Sequence, residues 1–224
     1  MIIAIDGPSG AGKSSVARAV AERLNFSCLD TGAMYRAVAW KCLQLGVSLD
    51  DEGAMGEVAR KYDVNFAHED NNPIPTKVFI DDEEVTLDIR TAEIDKAVTP
   101  VSAAPSVREA LVVQQQRIGK TGNFVVEGRD IGTVVFTDAE LKIFLTATYE
   151  ERARRRVLQN EKRGCGSVDF EEVLADLKRR DSADSSRATS PLRPADDAVH
   201  IDSTEMTIDE VIAKICELAL EREN

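Results

Sequence analysis

Five short apolar runs recur along the chain, and each lacks the apolar–polar alternation typical of a half-exposed strand. Runs of this kind suit strands that are buried on both faces of a parallel sheet. They are Ile2–Ile5, Phe26–Leu29, Phe124–Val126, Leu141–Leu145 and Ala198–Ile201. The pattern therefore predicts five central strands.

Between these runs, apolar residues recur at helical spacing and predict further elements. The predicted helices span roughly Lys13–Leu24, Ala33–Leu45, Pro105–Arg117, Tyr149–Lys162 and Phe170–Asp181. A last helix should follow Thr207, because Glu210 lies three residues later and completes a capping-box sequence. Alternation of strands and helices predicts a doubly wound α/β core with a parallel five-stranded sheet.

One segment, residues 62–88, departs from this alternation. It contains short β-like pieces at Val64–Phe66, Val78–Ile80 and Glu84–Thr86, separated by turns rich in Asn, Asp and Pro. We expect a small antiparallel insertion outside the core.

The first strand leads into a glycine-rich loop, GPSGAGKSS, at residues 7–15. Gly7, Gly12, Lys13 and Ser14 match the P-loop pattern G-x-x-x-x-G-K-[ST], between a strand and a helix as that motif requires. Glycines let successive backbone N–H groups surround a phosphate, while the lysine reaches the β and γ phosphates and the serine hydroxyl ligates Mg²⁺. The alternative, a glycine turn with a surface lysine, is weakened by the apolar helical face that follows.

Length and composition favour a globular chain. With 224 residues, 43% of them hydrophobic, the chain can bury one sizeable core. The sequence shows neither a signal-peptide pattern nor a long apolar span, so we expect a cytoplasmic protein without a membrane partner. Its four cysteines lack C-x-x-C spacing, so neither a disulfide framework nor a zinc site is expected.

Charge and histidine content narrow the function classes. A net charge of −12 argues against nucleic-acid binding, yet 11 of the 28 Lys and Arg residues lie between Arg152 and Arg193, where an even spread would give about 5. A solvated helix face is the simplest explanation of that cluster. The two histidines, His68 and His200, have no nucleophile partner, so a hydrolytic triad is not expected. The sequence contains no N-K-x-D motif, which binds guanine, so a regulatory GTPase is not expected.

Polar residues follow two of the predicted strands. In DTGAMYRAV, residues 30–38, Thr31 and Arg36 should lie near the carboxyl edge of the sheet, where α/β proteins bind ligands. In FVVEGRDIGTVVF, residues 124–136, Glu127 has the strand-end position of an acid associated with Mg²⁺, and Arg129 and Asp130 follow a glycine turn. A helix cap and a surface Arg–Asp pair are the alternative interpretations.

Taken together, six segments resemble the bacterial cytidylate kinases over nearly the whole chain. In order they are GPSGAGKSS, DTGAMYR, PSVREAL, EGRDIGTVVF, EERARRR and RRDSADSSRATSPL. The resemblance implies a P-loop core of residues 1–35, 118–150 and 194–224. It also implies a nucleoside monophosphate (NMP)-binding domain of residues 36–117, which carries the insertion, and an arginine-rich lid of residues 151–193. Glu127 stands where many relatives have Asp, and Thr31 and Thr99 stand where some have Ser.

The resemblance also implies a role for individual residues. Those expected to bind ATP are Gly7, Pro8, Ser9, Gly10, Ala11, Gly12, Lys13, Ser14, Ser15, Arg155 and Arg156. Those expected to bind CMP are Thr31, Tyr35, Arg36, Thr99, Arg108, Arg129, Asp130, Arg180, Asp184 and Arg187. The expected catalytic residues are Lys13, Arg129, Arg180 and Arg187, and the expected Mg²⁺ residues are Ser14 and, through water, Glu127. Adenine is expected near Arg156 and the loop at 202–204.

The implied reaction is transfer of the γ-phosphoryl group of ATP to CMP, and to dCMP, with Mg²⁺. Two polyanions must be brought together, which explains a clustered set of arginines, and an ionised acceptor phosphate needs no strong general base. We expect ATP, CMP and dCMP as ligands and a monomer as the assembly. Two alternatives stay open: a kinase that uses UMP, and a P-loop protein that hydrolyses ATP only to switch conformation.

Overall fold

The computed structural model describes residues 1–67, 72, 74–164 and 166–223, without the side chains of Arg163 and Glu223. The chain divides into two compact units. Unit 1 comprises Met1–Cys28 and Asn123–Asn224, and unit 2 comprises Leu29–Gly122. His68 and one of the four cysteines, Cys165, lie outside the described residues.

The elements follow one another as strands and helices with two short helical turns. In chain order they are β1 (Ile2–Asp6), α1 (Lys13–Leu24), β2 (Ser27–Asp30), α2 (Thr31–Gln44), α3 (Glu52–Lys61), β3 (Val64–Ala67), β4 (Lys77–Ile80), β5 (Glu83–Glu84), a 3₁₀ turn (Asp88–Arg90), α4 (Ala92–Ala103), α5 (Pro105–Gly119), β6 (Phe124–Gly128), a π turn (Ile131–Val135), β7 (Leu141–Thr146), α6 (Tyr149–Arg163), α7 (Phe170–Ser185), β8 (Val199–Asp202) and α8 (Ile208–Glu223).

The central sheet has the strand order β2–β6–β1–β7–β8, so all five predicted strands are confirmed. β1 pairs in parallel with β6 and β7, and β7 pairs in parallel with β8. After β1 the chain moves to one side of the sheet for β2, and after β6 it crosses to the other side for β7. The P-loop therefore leaves β1 at the switch point of a doubly wound sheet, which is where such folds bind ligands.

Burial on both faces is confirmed for the central strands β1 and β6 and is wrong for β8, one of the two edge strands. All five residues of β6 are buried, and so are four of the five in β1. In β8, by contrast, His200 and Asp202 are exposed. β8 has a neighbouring strand on one side only, so fewer of its side chains are covered.

The predicted insertion is confirmed as a three-stranded antiparallel sheet in unit 2, with the order β3–β4–β5. Its last strand is shorter than predicted and ends at Glu84. The hydroxyl of Thr86 accepts a hydrogen bond from the backbone N–H of Val78 at 3.0 Å. The hydroxyl of Thr86 thus takes the place of the backbone carbonyl that would accept from Val78 if β5 continued.

The helices differ from prediction mainly at their ends. α2 begins at Thr31 because the carboxylate of Asp30 accepts the Ala33 N–H at 2.9 Å and caps the helix. The predicted capping box of α8 is present, with Thr207 and Glu210 bonded reciprocally.

Two helices of unit 2, α3 and α4, were not predicted. α3 contains two glycines and α4 contains Pro100, which weaken a helical pattern in sequence. Their caps, Asp51 and Thr91, are the signals that could have revealed them. Among the described helices, none is long and apolar enough to cross a membrane.

Candidate active site

The P-loop glycines adopt backbone conformations that other residues would find strained. Gly7 has φ +151°, and a Cβ there would lie 2.0 Å from the carbonyl oxygen of Leu145. Gly10 has φ +79°, and its Cβ would lie 3.2 Å from Cβ of Arg152. Both positions therefore require glycine, the first because β7 approaches it and the second because α6 does.

Lys13 is buried at the first position of α1, and its ammonium group donates a hydrogen bond to the carbonyl oxygen of Pro8 at 2.8 Å. Burial, and then the charge of Arg129, hold the pKa of Lys13 well below its usual value of 10.5. The carboxylates of Glu127, Asp6 and Asp184 act in the opposite direction. Two cations of unit 1 are thus close enough to repel each other, and a bound polyanion would relieve that repulsion.

The two residues expected to hold Mg²⁺ contact each other. The Ser14 hydroxyl donates a hydrogen bond to Oε1 of Glu127, which is buried in β6. Hydroxyl and carboxylate oxygens suit Mg²⁺, which commonly takes one or two protein ligands and completes its shell with phosphates and waters. The pair therefore fits this ion. Within the described part of the chain, no group of three or more His, Cys, Asp or Glu side chains could hold a metal.

One carboxylate brings together two of the predicted phosphate-binding arginines. Asp184 accepts a hydrogen bond from Nε of Arg129 at 2.9 Å, and its other oxygen accepts from Nη2 of Arg187. Arg180 lies one turn earlier on α7, partly exposed. Sequence analysis also assigned Asp184 to the substrate, and in this structure its two oxygens accept hydrogen bonds from these two arginines.

The predicted residues of unit 2 form two groups. Arg108 is buried, donates to the carbonyl oxygen of Ser102 at 2.9 Å, and lies with its guanidinium carbon 5.3 Å from the centre of the Tyr35 ring. Arg36 forms an ion pair of 2.5 Å with Asp95, a residue that sequence analysis did not select. Thr31, at the start of α2, is buried, and Thr99 on α4 is exposed.

The two arginines assigned to ATP contact different parts of unit 1. Arg156 donates to the hydroxyl of Ser9 in the P-loop at 3.3 Å. Arg155 donates to both the hydroxyl and the carbonyl oxygen of Ser203, at 3.0 and 2.6 Å. The loop at 202–204 is therefore next to Arg155.

Sequence analysis missed Asp6, the last residue of β1. Its two carboxylate oxygens accept the backbone N–H groups of Ile131 and Gly132, each at 2.8 Å. Burial raises the pKa of Asp6 to about 6. These bonds attach the end of β1 to the turn that follows Arg129 and the buried Asp130. A lone acid that ends an apolar strand just before the P-loop was the available signal.

A P-loop at the switch point of a parallel sheet, with a buried lysine beside an arginine, places the chain in the class of P-loop nucleotide-binding proteins. Comparison with known proteins then identifies the family. The family model described as cytidylate kinase matches residues 3–221. The chain belongs to the cytidylate kinase family.

Individual relatives agree with this assignment. A cytidylate kinase of Caldanaerobacter subterraneus is 49% identical over 96% of this chain and 92% of its own length. One of Rhodococcus jostii is 48% identical over 99% of this chain and 96% of its own length. A bifunctional pantoate ligase/cytidylate kinase of Trichormus variabilis is 49% identical over 99% of this chain. This chain spans only 41% of the length of that bifunctional relative.

Proposed function

We propose that this protein transfers the γ-phosphoryl group of ATP to CMP, giving ADP and CDP, and accepts dCMP in the same way. Family membership supports the reaction class. The observation that carries the proposal is the geometry of the P-loop, in which Lys13 is buried at the first position of α1 and Ser14 donates a hydrogen bond to the strand-end carboxylate of Glu127. A triphosphate in the P-loop would give the ammonium group of Lys13 an anionic partner.

Phosphoryl transfer requires that the two nucleotides be positioned and that the developing charge be stabilised. An oxygen of the acceptor phosphate attacks the γ-phosphorus, the bond from that phosphorus to the β–γ bridging oxygen breaks, and ADP leaves with the electron pair. The acceptor has a second pKa of about 6, so it is mostly a dianion at neutral pH and needs no strong general base. Arg129 and Arg187, held by Asp184, would stabilise the charge that develops.

Ser14 and, through water, Glu127 would hold Mg²⁺. The ion would neutralise charge on the β and γ phosphate oxygens of ATP. The hydrogen bond between Ser14 and Glu127 already brings these two oxygen ligands together.

For the remaining contacts, the proposal keeps the roles that the resemblance implies. ATP would be held by residues 7–15 with Arg155 and Arg156. The CMP phosphate would be held by Thr31, Arg36, Arg129 and Arg187, with Tyr35 lining the pocket, the ribose by Arg180 and Asp184, and the base by Thr99, Arg108 and Asp130. We further propose a cytoplasmic monomer. Light scattering during size-exclusion chromatography tests the assembly.

A coupled assay of ADP release, with a panel of nucleoside monophosphates, tests the reaction. Stimulation by CMP and dCMP is the expected result. Stimulation by UMP instead would make the protein a UMP kinase. ATP consumption that no acceptor changes would favour a P-loop ATPase. The same samples after chelation of Mg²⁺ provide the control for metal-dependent turnover.

A further inference from the structure

A buried ion pair lies beside the P-loop and was not among the predicted site residues. Nη1 of Arg152, on α6, is 2.6 Å from Oδ2 of Asp181, on α7. The two residues are only 3% and 6% exposed. Burying two charges is costly unless further polar groups satisfy them.

Two of the further polar groups are the backbone N–H and carbonyl of Ser9, in the P-loop. The second oxygen of Asp181 accepts the backbone N–H of Ser9 at 3.2 Å. Arg152 donates to the carbonyl oxygen of the same Ser9 at 2.9 Å and, through Nε, to that of Ala147 at 3.0 Å. Both backbone groups of Ser9 are thus held by the ion pair.

Close contacts of α6 and α7 with the P-loop fix the position of this ion pair. The position of a Cβ on Gly10 would lie 3.2 Å from Cβ of Arg152 and 3.5 Å from Leu177. Ala153, Val173 and Leu177 form a buried apolar cluster between α6 and α7. The two helices are therefore held together where they meet the P-loop.

These helices also carry residues to which the proposed function gives roles. Arg155 and Arg156 follow Arg152 by about one turn of α6, and Arg180 and Asp184 lie within one turn of Asp181 on α7. Any shift of the ion pair relative to Ser9 would shift all four relative to the P-loop.

We propose that Arg152 and Asp181 are positioning residues for nucleotide binding. By holding the N–H and the carbonyl of Ser9, they fix the P-loop relative to the arginines of α6 and α7. The inference rests on the proposed function in taking ATP as the ligand of the P-loop. It does not depend on which monophosphate accepts the phosphoryl group.

A purely structural pair would behave differently on replacement. Exchanging a buried ion pair for apolar residues of similar size is often neutral or stabilising. Such an exchange would, however, leave both backbone groups of Ser9 without these partners. Stability and nucleotide binding should therefore separate in the double variant Arg152→Met/Asp181→Leu.

The experiment measures binding of a fluorescent ATP analogue to the 224-residue chain without any monophosphate, together with the midpoint of thermal unfolding. The matched control is Arg179→Met/Asp176→Leu, which makes the same substitutions at an exposed ion pair of α7. We expect affinity to fall roughly tenfold to a hundredfold in the buried double variant, as for two lost hydrogen bonds. The control should bind as the wild type does.

Asp181→Asn covers the case in which the double variant does not fold. Ser9 and Arg152 donate to different oxygens of Asp181, and in Asn one of these positions becomes an NH₂ group. One of the two donors therefore loses its acceptor, and we expect affinity to fall about fivefold or more. Wild-type affinity in Asp181→Asn would overturn the proposal, as would equal affinity in the double variant and its control. A wild-type protein that binds ATP but fails to phosphorylate CMP would instead contradict the proposed function and leave this inference standing.

Discussion

Replacing Asp6 by Asn removes a buried charge while keeping the size of the side chain. Asp6 is 4% exposed and accepts two backbone N–H groups, those of Ile131 and Gly132. Desolvation outweighs these bonds and raises the pKa of the carboxyl from 3.8 to about 6. At neutral pH the folded protein therefore holds this carboxylate at a cost in free energy.

The size of that cost follows from the pKa shift. A shift of about two units corresponds to ~3 kcal/mol, at ~1.4 kcal/mol for each unit. Because the folded state has the higher pKa, the stabilisation from proton binding is fully present below the unfolded value of 3.8 and is lost as the pH rises through about 6. Roughly 1.3 kcal/mol of this change falls between pH 5 and pH 7. Asn has no titratable proton, so the variant should not show this change in stability.

The substitution also has a cost of its own. The amide oxygen of Asn can accept one of the two N–H groups, and its NH₂ group would face the other, a mismatch of ~1–3 kcal/mol. At pH 7 this loss and the removed desolvation penalty nearly cancel. We therefore expect similar stability at pH 7, and a variant less stable than the wild type at pH 5.

Urea unfolding followed by circular dichroism, without nucleotide, measures the free energy of unfolding at pH 5, 6 and 7. The wild type minus Asp6→Asn difference should fall by about 1.3 kcal/mol from pH 5 to pH 7. Asp138→Asn, at an exposed position before β7, is the control for loss of a carboxylate. A difference that is the same at pH 5 and pH 7 would refute the assignment of a raised pKa to Asp6.

Three further predictions concern turnover, specificity and motion. Lys13→Met keeps the length of the side chain and removes its charge, so turnover in the coupled assay should fall ~10²-fold or more; near-normal turnover would contradict a role for Lys13 at the transferred group. If Asp130 binds cytosine as an acceptor and Arg108 binds it as a donor, UMP presents two mismatches of ~1–3 kcal/mol each, and CMP should be preferred by roughly 10² to 10⁴ in kcat/KM. Asp130→Asn offers a donor to uracil O4 and should narrow that ratio, whereas an unchanged ratio excludes Asp130 from the base contact. Amide hydrogen exchange between residues 152 and 187 should slow when ATP and CMP analogues are both bound, and equal exchange with and without them would argue against a lid.

The local pattern of apolar and polar residues was enough to predict most of the fold. Each apolar run of the central sheet became a strand, because a few consecutive apolar residues favour a buried strand whatever the rest of the chain does. Burial on both faces did not hold for β8, because that depends on the position of the strand in the sheet. The P-loop was equally local, because its glycines and Lys13 lie within one turn between a strand and a helix. α3 and α4 escaped prediction because glycine and proline weakened a pattern that tertiary contacts nonetheless stabilise.

The arrangement of charges around the site was decided only by tertiary structure. Sequence analysis selected Arg129 and Arg187 as site residues but did not show that Asp184 binds both. It gave no role to Asp6, whose partners lie about 125 residues away, or to the pair of Arg152 and Asp181, which are 29 residues apart. A sequence shows which groups can carry a charge. The pKa of each group depends on its desolvation and its partners, and these are determined by which residues the folded backbone brings together.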